Sequence, residues 1–382
     1  MEESVVNRGQ SGLRAKVLDA GLCTGCGACI DICPYFRTYR GKTSALFPCI
    51  VEEGRCFAWC PKVEVNLDEL SNRIFGGPYD GLPLGSLKSL KASKAGPEAG
   101  SISDAQAGGT VSALVTFALK QGYIKGAVLT DREGLLPLPR YVDSVDDILR
   151  CASSKYTAAP TLSAVNRAVA EGRRDIGLVG TPCQVLASAL MRSNQLQRDD
   201  FVDPFGLVVG LFCTWAVDYR LFEPFIAARI SPERVKKIDI PPPPAEIMEI
   251  FGEDGTRMEC SLEEIRPLVP EGCAYCIDMT SEFSDISVGV MEGRPEMNTL
   301  IVRTDRGERI VDEAVSAGFL EISDMPPDNL EHLTWAAGNK KKRALLRARE
   351  RGIINSGGGK EPSYLLMNAE VLTRLTEEER GR

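Results

Sequence analysis

Apolar and polar positions set the first picture of the chain. Val111, Leu114, Val115, Ala118 and Leu119 recur at helical spacing and predict a helix over Val111–Gln121, followed by a strand over Gly126–Thr130. A second pair follows, with a helix through Ala164–Ala170 and a strand over Ile176–Val179. Gly206–Phe212 is apolar throughout, as a strand covered on both faces must be. Such alternation predicts an α/β sheet. Pro241–Pro244 interrupts regular structure and reads as a surface loop between strands near Lys237–Ile240 and Ile247–Phe251. The Val302–Gly307 stretch and a helix over Glu308–Ala317 close this domain, and no repeat with a period of 20 to 50 residues is visible.

Outside that region the pattern changes. Residues 1–75 hold seven of the 13 cysteines, a density that packing alone does not require, and read as a separate module. Residues 76–104, rich in Gly, Pro, Ser and Lys, read as a linker. The α/β domain then occupies 105–325, and 326–382 form a helical extension and tail. Within it, the basic run Lys340–Arg343 reads as a solvated helix face.

Composition narrows the function classes. A length of 382 residues suits two or three modules, and 43% hydrophobic with 26% charged residues is the balance of a soluble globular chain. The net charge of -8 argues against nucleic acid as a partner, since phosphate binding needs a concentrated basic surface. No apolar run approaches the ~18 residues of a transmembrane helix. Nor does Met1–Ser4 open a basic-then-apolar leader, so a cytoplasmic location is expected. Thiols stay reduced there, which makes the cysteines metal ligands or redox groups before disulfide partners. The single histidine, His332, excludes multi-histidine metal sites and bis-histidine haem, and reads as a surface residue.

Cys23, Cys26, Cys29 and Cys33 followed by Pro34 form a bacterial ferredoxin run, in which thiolates at i, i+3 and i+6 wrap one face of a cubane. Gly25 and Gly27 allow the tight loop. A zinc ribbon built on paired C-x-x-C units explains neither the third cysteine nor the proline. In two-cluster ferredoxins the fourth cysteine of each run serves the other cluster. Cys60-Pro61 ends such a second run, so Cys23, Cys26, Cys29 and Cys60 are expected to hold one [4Fe-4S] cluster. Cys33, Cys49 and Cys56 remain for a second, with Glu53 standing where a cysteine is expected. A three-iron cluster, a non-cysteine ligand and a ligand from elsewhere all stay open.

Four more cysteines occupy suggestive places: Cys183 in Thr181-Pro-Cys-Gln184 after one buried strand, Cys213 after the next, and Cys273-Ala-Tyr-Cys276. Spacing alone leaves a redox pair, half a zinc site or core thiols open. Strand ends in an α/β sheet converge on the ligand-binding edge, so the four thiols can meet at one site. Cys151 and Cys260 fit no motif and read as core thiols.

These segments taken in order, Gly108–Leu114, Gly122–Val128, Lys155-Tyr156, Gly180–Gln184, Gly210–Cys213, Cys273–Asp278, Glu282–Gly289 and Val302–Gly307, resemble the coenzyme F420 hydrogenase/dehydrogenase beta subunit family. The resemblance spans about residues 85–345, and the N-terminal module with Gly54–Pro61 is similar to the family's longer members. It implies a bacterial-ferredoxin-like α+β module followed by an α/β domain that binds flavin and an iron-sulfur cluster, with a C-terminal helical tail. It further implies an oxidoreductase in which FAD exchanges a hydride with coenzyme F420 and [4Fe-4S] clusters pass single electrons to or from a partner. By the same resemblance Cys183, Cys213, Cys273 and Cys276 ligate a cluster. Gly108, Gly109, Thr110 and Ser112 open a helix suited to the FAD pyrophosphate, and Lys155, Tyr156, Thr181 and Gln184 lie near the flavin. Ile277 stands where the family often has lysine and Met297 where it often has tryptophan, departures that bear on the hydride partner's pocket.

The expectation is therefore a converter between two-electron and one-electron chemistry. The chain carries two clusters, or three if the outer set also holds one, and serves a hydrogenase, formate dehydrogenase or heterodisulfide-reductase type partner. Two other readings compete: a reductase with the same cofactors that uses NAD(P)H, ferredoxin or another substrate, and a flavin-free ferredoxin-like carrier or scaffold subunit.

Overall fold

The structure, a computed structural model, describes residues 7–102, 105–241, 245–354 and 364–377. Its centre is an eight-stranded mixed sheet. Across the sheet the strands run Leu320–Asp324, Ser89–Ala95, Asn298–Val302, Ile286–Val290, Phe205–Leu211, Ile176–Gly180, Gly126–Glu133 and Leu136–Val142. The four strands from Ile286–Val290 to Gly126–Glu133 are mutually parallel, and the outer ones are antiparallel. The expected helices appear as Thr110–Lys120, Thr161–Ala170 and Asp305–Ser316, and the apolar strand as Phe205–Leu211, whose Leu207, Val208 and Val209 are fully buried.

One segment differs from expectation. The stretch read as a linker, 76–104, contains the strand Ser89–Ala95, paired on both sides within the sheet. Its polar composition has a physical reason. Lys88, Lys91 and Lys94 reach Glu308, Asp324 and Glu321 at 2.8, 2.9 and 2.9 Å, so the lysines form surface ion pairs while the backbone makes the sheet.

The N-terminal module contains the hairpin of Phe36–Tyr39 with Lys42–Ala45 and the helix Leu67–Phe75. It does not stand apart. Leu13, Val17, Ile30, Phe36 and Phe57 share one hydrophobic core with Leu162, Val165, Ile176 and Val185 of the α/β domain. Burial of apolar surface therefore fixes the two parts together. The C-terminal extension holds the helix Pro327–Glu350, and Leu365-Leu366 then pairs in parallel with Val65-Asn66 of the N-terminal module.

A smaller three-stranded sheet of Val235–Asp239, Ile247–Gly252 and Arg257–Ser261 packs its own core, in which Cys260 is buried as expected. Cys151 packs at the edge of the main core. Pro242–Pro244, most of the expected loop, lie outside the described residues. Among the described residues no helix is long and apolar enough to cross a membrane.

Candidate functional site

Two neighbouring parallel strands aim their C-terminal ends at one place. Beyond Gly180, Thr181 and Gln184 form a capping box in which the Thr181 N–H donates to Gln184 Oε1 at 2.8 Å. Pro182 fits the first helical position, so the helix Pro182–Arg192 starts abruptly and holds Cys183 in its first turn. Two residues past the end of the next strand, Cys213 donates its N–H to the Met279 carbonyl at 2.9 Å. The loop carrying Met279 crosses the strand end because residue 210 is glycine: a Cβ there would lie 2.2 Å from that of Ser281. Cys273 sits in the short turn Glu271–Tyr275, with Cys276 just after it.

The four thiols meet. Burial pushes the Cys213 thiol up; the Lys340 ammonium opposes this, and the Cys273, Cys183 and Cys276 thiols reinforce it. Cys273 is pushed up to about 11, chiefly by burial, with Cys183 and Cys276 adding to the effect. A half-buried thiolate quartet is costly without a multivalent cation, and an iron-sulfur core supplies that charge. Among the described residues no three ligand groups converge as tightly as a single metal ion requires. Four thiols are the ligand set of a [4Fe-4S] cubane.

In the N-terminal module Cys23, Cys26, Cys29 and Cys60 line one cavity, together with the apolar Leu13 and Val17. Gly25 and Gly27 both hold positive φ, and a Cβ on Gly27 would lie 2.5 Å from the Pro160 carbonyl oxygen. The loop is thereby pressed onto the α/β domain. Asn166 Nδ2 donates to the carbonyls of Ala28 and Ile30 at 3.1 and 2.7 Å, and the Leu162 N–H donates to the Cys26 carbonyl at 3.1 Å. Burial raises the Cys26 thiol well above its ordinary value, and the next contributions come from Cys183 and then Cys60. The two quartets therefore adjoin.

A third group neighbours the middle quartet. Burial pushes Cys56 up to about 11, with Cys33 and Cys49 as its thiol neighbours, and Cys56 in turn acts on Cys29. Glu53, at the position of the missing cysteine, is exposed. These 11 cysteines thus fall into neighbouring groups of three, four and four.

The basic run Lys340–Arg343 is not the solvated face expected. Lys340 and Lys341 are buried, not solvated. Lys340 Nζ donates to the carbonyls of Cys213 and Asp278 at 2.6 and 2.7 Å. Lys341 Nζ lies 2.9 Å from Glu282 and donates to Tyr79 Oη at 2.8 Å. Burial pushes Glu282 up to about 7 even though Lys341 opposes it. A usable signal existed in the sequence: Ala337, Ala344, Leu345 and Ala348 stand three, four or seven residues from these lysines, which puts both on the apolar side of the helix. The same face excludes them from water.

Of the positions expected near a flavin, Gly109 at φ 77° caps the helix Thr110–Lys120. Thr110 donates its N–H to Asn298 Oδ1 at 3.3 Å, and its hydroxyl lies 2.9 Å from that of Ser93. Ser112 is half-buried in the first turn. Gln106, two residues before Gly108, donates through Nε2 to Asp239. Burial and then the Asp239 carboxylate push up the Tyr156 phenol. Gln106 and Asp239 thus join the glycine segment to Tyr156. Gln106 Oε1 is buried and finds no donor among the described residues.

The remaining positions take structural partners. Lys155 Nζ donates to the carbonyls of Cys151, Ala152 and Ser153 at 2.6, 3.1 and 3.1 Å, closing the end of the helix Val145–Arg150. Gln184 Nε2 donates to Ala159 and Thr161 at 2.8 and 2.9 Å, so Thr181 and Gln184 aim Cys183. Ile277 is buried beside Cys276, and Met297 directly precedes Asn298, the acceptor of the Thr110 N–H. His332 is partly exposed and pairs with Glu292.

Comparison with known proteins gives the family and the N-terminal module. Residues 173–328 match the C terminus of the coenzyme F420 hydrogenase/dehydrogenase beta subunit, residues 97–166 match the N-terminal region of the same family, and residues 16–35 match a 4Fe-4S binding domain. An uncharacterized protein of Methanocaldococcus jannaschii is 30% identical over 87% of this chain and 96% of its own length. The coenzyme F420-dependent sulfite reductase of that organism is 28% identical over 77% of this chain, which spans only 46% of the relative. Among solved structures, a chain of the F420-reducing [NiFe] hydrogenase complex from Methanosarcina barkeri superposes with a TM-score of 0.65 at 25% identity, over 70% of this chain and 94% of that one. The chain is thus an oxidoreductase with an N-terminal 4Fe-4S module, and it belongs to the coenzyme F420 hydrogenase/dehydrogenase beta subunit family.

Proposed function

We propose that this chain is a flavoprotein subunit that exchanges a hydride between FAD and coenzyme F420 and passes electrons singly through its clusters to or from a partner subunit. The observation that carries the reading is the close approach of Gly272, next to Cys273, to the backbone of Leu22 and Cys23, which sets the two half-buried thiol quartets side by side.

In this reading Cys183, Cys213, Cys273 and Cys276 hold the inner [4Fe-4S] cluster, and Cys23, Cys26, Cys29 and Cys60 the next. Cys33, Cys49 and Cys56 hold a third, with only three thiolates. FAD, when bound, supplies the exchange between hydride and single-electron chemistry. The chain's part is to bind and orient it. The first turn of the Thr110–Lys120 helix, with Gly108, Gly109 and the half-buried Ser112, suits a pyrophosphate, because helix N-termini carry partial positive charge, and Thr110 anchors that turn through its bonds to Asn298 and Ser93. Gln106 Oε1 accepts a hydrogen bond from the cofactor, and Tyr156 is held beside it through Asp239. Lys155, Thr181 and Gln184 shape the backbone around the site. The partner is a redox protein of hydrogenase, formate dehydrogenase or heterodisulfide-reductase type, and the cleft of about 450 Å³ that opens beside Cys23 brings solvent close to the middle quartet.

The test is anaerobic purification, extraction of the cofactors, and turnover with F420, using a viologen dye in place of the partner. Extractable FAD and F420-dependent dye reduction are expected. Turnover with NAD(P)H and none with F420 would reassign the hydride carrier, and absence of flavin would leave an electron carrier only.

A further inference from the structure

Three lysines among the described residues are buried, and they differ in how their charge is answered. Lys341 is matched by Glu282 at 2.9 Å. Lys340 is not matched in that way: its ammonium donates to two neutral carbonyls, those of Cys213 and Asp278, while Asp278 Oδ1 and Oδ2 accept the N–H groups of Thr280 and Glu282 at 2.9 and 2.8 Å. Lys62 is 4% exposed, lies over the Tyr364 ring at 5.1 Å, and lines the cavity of the middle quartet. Its charge acts on Cys60 of that quartet and on Cys183 and Cys273 of the inner one. Tyr364 is itself buried and donates to the Tyr275 carbonyl, inside the Cys273–Cys276 turn.

We infer that Lys62 and Lys340 set the reduction potentials of the two adjoining clusters, Lys340 acting on the inner one and Lys62 on both. The inference rests on the reading that both quartets hold clusters. A cubane ligated by four thiolates is anionic, and taking up one electron adds one negative charge. In a buried site that charge is poorly screened, so a fixed cation nearby favours the reduced state and raises the potential. One cation close to two clusters lifts both together and leaves the gap between them unchanged. Lys340 adds a lift to the inner cluster alone. Both lysines act through the clusters and are positioning residues for charge, not groups that touch substrate.

The experiment is a redox titration of the whole purified protein followed by EPR, comparing wild type with Lys340→Gln, Lys62→Gln and Lys62→Arg. Glutamine keeps a hydrogen-bond donor for the carbonyls while removing the charge, and iron content per chain confirms loading. Lys340→Gln is expected to shift one cluster to lower potential, Lys62→Gln to shift two, and Lys62→Arg to stay near wild type. Fully loaded Gln variants with unmoved potentials overturn the inference, as does an equal shift in Lys62→Arg and Lys62→Gln. If a Gln variant loses iron, Lys→Met at the same position gives the charge-free comparison. Cys213→Ser separates the two levels of the argument: unchanged iron content and spectra in that variant would show that the inner quartet holds no cluster, independently of the lysines.

Discussion

A Cβ on Gly272 would fall 2.2 Å from the carbonyl oxygen of Leu22. The absence of a side chain at residue 272 therefore lets the turn that carries Cys273 rest against the residue that precedes Cys23. Two cysteine motifs some 250 residues apart in sequence become neighbours through one backbone contact.

Gly272→Ala forces that contact apart. Overpacking of this kind costs about 1–3 kcal/mol, and here the strain falls between the module and the domain. The expected outcome is a lower melting temperature together with slower electron transfer between the inner and middle clusters. Stopped-flow reduction followed at cluster wavelengths reads the second effect, and a variant with native stability and native rates would contradict the packing argument.

The inner quartet predicts a division among the six cysteines outside the N-terminal module. Serine at Cys183, Cys213, Cys273 or Cys276 should remove about one cluster's worth of iron, because a cubane needs four ligands. Serine at Cys151 or Cys260 should leave the iron content unchanged and at most lower stability modestly. Iron and acid-labile sulfide analysis of the six variants is the measurement.

Glu282 predicts a pH dependence. Its folded-state pKa, raised by burial to about 7, lies above the ordinary carboxylate range. The stability linked to this group is thus fully present below that range and is lost as pH rises toward and through about 7. Lys341, Tyr79, Asp278 and Arg303 are the charged and titratable groups around it, and Lys341 and Arg303 limit the loss. Glu282→Gln mimics the protonated form, so its melting temperature should change less between pH 5 and pH 8 than that of the wild type. Parallel curves for the two proteins would show that Glu282 does not titrate in this window.

Gln106 predicts a flavin contact. Its Oε1 is buried without a donor among the described residues while its Nε2 is engaged by Asp239. Gln106→Leu should reduce retained FAD several-fold with the iron content unaffected, as measured by flavin and iron per chain after gel filtration.

What was legible in the sequence was local. The Cys23–Cys33 run and Cys60-Pro61 are read from spacing, and the structure groups Cys23, Cys26, Cys29 and Cys60 around one cavity. Thr181–Gln184 was visible as a motif at a strand end, since the cap, the proline and the cysteine are adjacent. Lys340 and Lys341 were hidden because a basic run is ordinarily solvated, and only their fit into the apolar spacing of Ala337, Ala344, Leu345 and Ala348 betrays them. Ser89–Ala95 was hidden for a related reason. Its lysines are answered by acids on other elements far away in sequence, which no local pattern reveals. Lys62, next to Cys60-Pro61, carries no signal in the local sequence, because its second set of neighbours, Cys183 and Cys273, comes from the other domain.

The central claim, a hydride-to-single-electron converter with adjoining clusters, is tested most directly by mixing the anaerobic, oxidised protein with reduced F420 and following flavin absorbance and cluster EPR together. The account predicts oxidation of the coenzyme, transient flavin bleaching and then the signals of reduced clusters, two electrons appearing on the protein for each coenzyme consumed. Fully loaded protein that leaves reduced F420 unconsumed would contradict it.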